Sequence, residues 1–185
     1  YLLASFFAGR RTAVLQPSYG EYARALRAFG AEVEDVFSLD AAGGADLLIL
    51  SNPCNPTGAY LPPDELARFA ADHPDATLAV DEAYIDFVTM DDAVRSRDLL
   101  LEHPNLIVLR TFSKAYGLAG LRCGYALTSP TMAAGLRAVA TPFGVNALAQ
   151  AAARAALSSQ SEVRSRCAVV VSEREKFKAA LSAHG

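Results

Sequence analysis

The chain has 185 residues, 52% of them apolar and 20% charged, which is enough apolar material for one sizeable core and too little length for two full domains. Seventeen basic against twenty acidic side chains leave a formal charge of −3 without any block of like charge, which argues against nucleic acid or anionic lipid as a partner. No stretch reaches the roughly 18 apolar residues that a membrane span needs, so a soluble protein is expected.

The apolar opening Tyr1 to Gly9 is followed by Arg10 and Arg11. This is the reverse of a secretory signal, and the segment reads as the end of a core helix. The chain has no initiator Met and ends on a charged helical pattern from Ser172 to Gly185, so a fragment of a longer chain is expected. Cys54, Cys123 and Cys167 are odd in number and lack a C-x-x-C pair, which supports neither a disulfide framework nor a zinc site and points to the reducing cytoplasm.

Short apolar runs at Thr12 to Leu15, Asp46 to Leu50, Thr77 to Val80 and Leu106 to Leu109 read as strands. Helical spacing fills Glu21 to Phe29 and Pro63 to Ala71, and less cleanly Ala93 to Leu101, so the expected fold is α/β with a mostly parallel sheet. Only about eleven residues separate Arg110 from the next strand, Arg122 to Leu127. A parallel crossover needs a dozen or more, so this strand should run antiparallel and bring Arg122 back beside Lys114. Three further helices are expected: Met132 to Val139, Asn146 to Leu157, and a long charged one from Ser161.

Ligands of parallel sheets bind beyond the carboxyl ends of the strands. Those positions carry Pro17-Ser18-Tyr19-Gly20, Asn52-Pro53-Cys54-Asn55-Pro56-Thr57-Gly58, Asp81-Glu82-Ala83-Tyr84 and Thr111-Phe112-Ser113-Lys114. Aromatic, amide, carboxylate, hydroxyl and amine groups should therefore converge on one rim. Arginine supplies most of the positive charge, and the only lysines are Lys114, Lys176 and Lys178. Lys176 and Lys178 follow Glu173 and Glu175 at i+3, an ordinary solvated arrangement. Lys114 stands alone at a strand end, where an amine can do what guanidinium cannot, such as form an imine.

These motifs, with the run from Leu109 through Lys114 to Arg122-Cys123-Gly124-Tyr125, resemble the fold-type I pyridoxal-phosphate aminotransferases, most closely histidinol-phosphate aminotransferase. The resemblance covers nearly the whole chain in order and spacing. It implies a three-layer α/β/α large domain, truncated at both ends, over residues 1–158, and a helix over 159–185 leading into a small C-terminal domain. It also implies pyridoxal 5'-phosphate as cofactor. By resemblance, Lys114 joins the cofactor aldehyde and moves the proton between Cα and C4′, while Asp81 faces the pyridine nitrogen and keeps it protonated. Tyr84 and Asn55 match the pair that bonds the phenolic oxygen, and Tyr19 the aromatic stacked on the ring. Ser113 and Arg122 match phosphate ligands, and Thr111 less surely.

The implied reaction takes L-histidinol phosphate and 2-oxoglutarate to imidazole-acetol phosphate and glutamate, in histidine biosynthesis. The family site is completed across a homodimer interface, and part of it lies outside this chain, so the isolated stretch should bind cofactor poorly and be inactive. The interval from Phe37 to Asp46 is shorter than usual for histidinol-phosphate aminotransferases, which keeps threonine-phosphate decarboxylase as a rival. A rival of another class is a regulator that uses the scaffold as a ligand sensor. Cys54 stands where the family often has a second Asn and reads as a packing residue.

Overall fold

The computed structural model describes residues 1–89 and 96–184. Six strands form one sheet: β1 (Arg11–Leu15), β2 (Glu32–Val36), β3 (Leu47–Ser51), β4 (Thr77–Asp81), β5 (Leu106–Thr111) and β6 (Gly124–Thr128). Their order across the sheet is β2-β1-β3-β4-β5-β6. Every pairing is parallel except β5 with β6, which is antiparallel as the short connection requires. Gly124 faces Thr111 in that register, and a Cβ at Gly124 would lie 2.7 Å from the Arg110 carbonyl oxygen, so only glycine permits the approach.

The strand β2 was not among the sequence expectations. Its run Glu-Val-Glu-Asp-Val is exposed except at Val33 and Val36, and among the described residues it is an edge strand paired with β1 alone. The described part of the expected helix Ala93 to Leu101 is a 3₁₀ turn over Ser96–Leu99, and residues 93–95 lie outside the described residues.

Strand residues alternate between two apolar faces. Leu48, Leu50, Leu78, Val80, Leu106 and Val108 turn toward helix α3 (Pro63–Asp72), which inserts Leu66, Phe69 and Ala70. Val14, Leu47, Ile49, Ala79 and Ile107 turn toward α1 (Leu2–Phe6), α2 (Glu21–Ala28) and α4 (Pro130–Ala138), which supply Ala4, Leu26 and Leu136. Helices thus cover both faces in three α/β/α layers. Strands β3, β4 and β5 are buried on both sides, which explains their continuous apolar runs.

Capping fixes the helix starts. Ser129 and Asn146 accept from the N–H groups of Met132 and Ala149 at the starts of α4 and α5 (Ala147–Ser158). The last helix, α6 (Gln160–Ser182), rests Val163 and Cys167 against Ala115, with Phe87 and Tyr116 alongside, and its Arg174 donates to the Phe87 carbonyl at 3.0 Å. Among the described residues no helix is long and apolar enough to cross a membrane, and no group of His, Cys, Asp or Glu is placed to hold a metal ion.

Candidate active site

The carboxyl ends of β3, β4 and β5 lie side by side, with Ser51 opposite Asp81 and Asp81 opposite Leu109. Loops leaving these ends wall a concavity of about 370 Å³, within the size range of small-ligand sites. All eight residues singled out from the sequence line it: Tyr19, Asn55, Asp81, Tyr84, Thr111, Ser113, Lys114 and Arg122. Tyr22, Ser51 and Arg110 line it as well.

Asn52 shapes the loop after β3. It is buried, and its side chain exchanges two hydrogen bonds with the Leu61 backbone, at 2.9 and 2.8 Å. The loop is drawn in so that the Asn55 N–H donates to Ser51 Oγ at 3.0 Å. Gly58 sits at φ 75°, which lets its N–H reach the Cys54 carbonyl at 2.8 Å. The Cys54 thiol donates to the Pro17 carbonyl at 3.1 Å, which ties this loop to the one after β1.

After β5, Thr111 Oγ1 accepts from the Ser113 N–H at 3.0 Å, and the Gly117 N–H closes a turn on the Lys114 carbonyl at 2.9 Å. This tight turn holds Lys114 over the rim, with Nζ 5.0 Å from the centre of the Tyr84 ring. The Thr111 hydroxyl in turn donates to the Cys123 carbonyl at 3.5 Å, which ties the loop to the segment before β6. Arg122 has left-handed backbone at φ 54°, a conformation that costs a non-glycine residue about 1 kcal/mol or more and gathers at functional sites. Its Nη1 donates to the Ala119 carbonyl at 2.7 Å, which orients the guanidinium.

Asp81 lies at the centre. Its carboxyl is held above its ordinary value: burial pushes it up most, the Tyr22 hydroxyl, the Ala83 N–H and the Lys114 charge pull it down only in part, and Glu82 adds to the rise. The Tyr22 hydroxyl donates to Oδ2 at 2.7 Å and the Ala83 N–H to Oδ1 at 3.0 Å. Burial, with the Asp81 charge beside it, drives the Tyr22 phenol far above its ordinary value, so it remains a donor.

Tyr22, Glu82 and Arg110 were given no role from the sequence. Tyr22 follows Tyr19 by three residues, and that helical spacing was the available signal. Glu82 sits inside a quoted motif without an assigned role. It is 1% exposed and is paired with Arg110, whose Nε and Nη2 both lie 2.6 Å from Glu82 Oε2.

As a donor set, the concavity opposes a buried carboxylate to an amine and a guanidinium, with an aromatic ring, an amide and hydroxyls between. That combination suits a small planar ring that carries a basic nitrogen, an aldehyde and a phosphate.

The model of the family Aminotransferase class I and II matches residues 1–185. An aromatic amino acid aminotransferase of Cutibacterium acnes is 49% identical over 131 residues, 70% of this chain and 37% of the relative. Histidinol-phosphate aminotransferase 2 of Ralstonia nicotianae is 42% identical over 168 residues, 84% of this chain and 45% of the relative. The chain thus spans less than half the length of these curated relatives. Among solved structures, the histidinol-phosphate aminotransferase from Sinorhizobium meliloti in complex with pyridoxal-5'-phosphate superposes with a TM-score of 0.85 at 30% identity, over 95% of this chain and 53% of that one. With its whole length matched, the chain belongs to the aminotransferase class I and II family.

Proposed function

We propose that the full-length gene product is a pyridoxal-phosphate-dependent aminotransferase and that this chain carries most of its cofactor site. The convergence of Lys114, Asp81, Tyr84 and their neighbours on one rim carries the reading. When bound, the cofactor supplies an aldehyde that condenses with amines and a ring that accepts electrons.

The chain's own residues have distinct parts. Lys114 Nζ is the amine for covalent attachment and, when free, holds and moves a proton. Asp81 offers fixed negative charge to a protonated ring nitrogen, and Tyr19 offers its ring face. Asn55 and Tyr84 offer an N–H and an O–H to a phenolic oxygen, while Ser113 and Arg122 meet the phosphate, Arg122 with a fork suited to it. The net exchange balances without a further oxidant: the donor's amino group and Cα hydrogen pass to the acceptor, and the acceptor's carbonyl oxygen is replaced by one on the donor carbon.

The amino donor bears a planar ring, and 2-oxoglutarate accepts. Relatives named for aromatic amino acids and one named for histidinol phosphate support this class, with histidinol phosphate and the aromatic amino acids as its two members. Exposed apolar side chains at Phe143 and Leu148 support assembly as a homodimer.

Borohydride treatment of the full-length protein saturated with pyridoxal phosphate should leave a reduced adduct on Lys114, and Lys114→Ala should abolish both adduct and amino transfer. Assays with histidinol phosphate, phenylalanine and threonine phosphate should give a keto product from the first or second. Absence of the adduct, or predominant CO₂ release from threonine phosphate, overturns the assignment.

A further inference from the structure

Tyr22 lies outside every motif read from the sequence, yet it touches two residues given to the cofactor. Its hydroxyl donates to Asp81 Oδ2 at 2.7 Å. Its ring meets that of Tyr19 edge to face, with centroids 5.6 Å apart at 81°. Because Asp81 Oδ1 accepts from the Ala83 N–H at 3.0 Å, the carboxylate is held on both oxygens and cannot rotate without losing a partner.

The groups that bear on the Asp81 charge come from several elements. Helix α2 and its lead-in bring Tyr22 and Tyr19, and the loop after β5 brings the Lys114 cation. Strand β4 continues into Glu82, which is turned away onto Arg110 of β5. Strand β3 offers only the neutral Ser51. The Tyr22 bond is thus the one that α2 makes to the carboxylate, and it opposes the cost of burying the charge.

We propose that Tyr22 is a positioning residue: its O–H fixes the plane of the Asp81 carboxylate and favours the ionised form, while its ring edge braces Tyr19. One side chain of α2 thereby sets both the charge and the aromatic face presented to the cofactor ring. The consequence for catalysis rests on the aminotransferase reading, whereas the effect on Asp81 does not need the cofactor.

The test uses the full-length protein in its apo form with ¹³C-labelled aspartate. The Asp81 carboxyl titration is followed by NMR, and Asp81→Asn identifies the signal. Tyr22→Phe keeps the ring and removes the O–H, so the Asp81 midpoint should rise by about one to two pH units, the worth of a hydrogen bond to a charged group. A fluorinated tyrosine at position 22, a stronger donor of nearly the same shape, should lower the midpoint, and it serves if Tyr22→Phe fails to fold. Midpoints that do not move overturn the proposal. In the holoenzyme, the pH at which the bound cofactor's visible spectrum changes should move with Tyr22→Phe, and an unmoved spectrum overturns the link to the cofactor. Loss of the Lys114 adduct in the wild type overturns the aminotransferase reading alone, since the apo titration stands apart from it.

Discussion

Replacing Glu82 by alanine should be among the most damaging single changes outside the apolar core. Its Oε2 lies 2.6 Å from both Nε and Nη2 of Arg110, and its Oε1 accepts from the Ser96 N–H at 3.1 Å. The side chains are 1% and 11% exposed, and among the described residues Arg110 Nη2 has no hydrogen-bond partner, so the nearby Glu82 charge is what compensates its burial. Glu82→Ala therefore leaves a guanidinium buried without a counter-charge, a loss on the order of 3–5 kcal/mol. Methionine at both positions removes the charges and restores apolar volume, and should return the protein to within about 1–2 kcal/mol of wild type, the remainder reflecting the orphaned Ser96 N–H. Urea unfolding of the full-length apoprotein, followed by far-UV circular dichroism, measures both variants as shifts in midpoint at constant slope. A single variant that loses less than about 1 kcal/mol, or a double variant as damaged as the single one, would refute the account of this pair as charges that need each other.

Asn105 donates its amide to the carbonyls of Ala70, His73 and Ala76, at 3.0, 3.1 and 2.9 Å, and so pins the end of α3 to the start of β5. Asn105→Ala should cost about 1–3 kcal/mol in the same unfolding assay. The buried Tyr22 phenol stays neutral in the fold well above the ordinary tyrosine value of 10.0. The unfolded chain ionises its tyrosines there, so the stability from Tyr22 is present below pH 10 and falls by about 1.4 kcal/mol per pH unit above it. Tyr22→Phe should flatten that alkaline decline, which unfolding series at successive pH values would show.

Legibility in the sequence followed burial. Strands β3, β4 and β5 are covered on both faces, so they appear as unbroken apolar runs, and their end residues pointed to the rim directly. The reversed direction of β6 followed from the length of one connection. Strand β2 escaped because an edge strand over polar surroundings carries no apolar run. The expected start of β6 at Arg122 fell short of Gly124 because Arg122 adopts left-handed backbone, which takes it out of the ladder. At the site, residues belonging to a motif were visible. Tyr22 and the Glu82–Arg110 pair were not assigned roles, because what they do depends on which side chains meet across elements, and one chain read linearly carries no record of that.

The acidic margin of the sheet has a further consequence. Among the described residues strand β2 has β1 as its sole neighbouring strand, so half of its peptide groups point outward. Glu32, Glu34 and Asp35 stand along this border. Two copies approaching border to border would press carboxylate on carboxylate, and the repulsion bars the stacking that such a border otherwise templates.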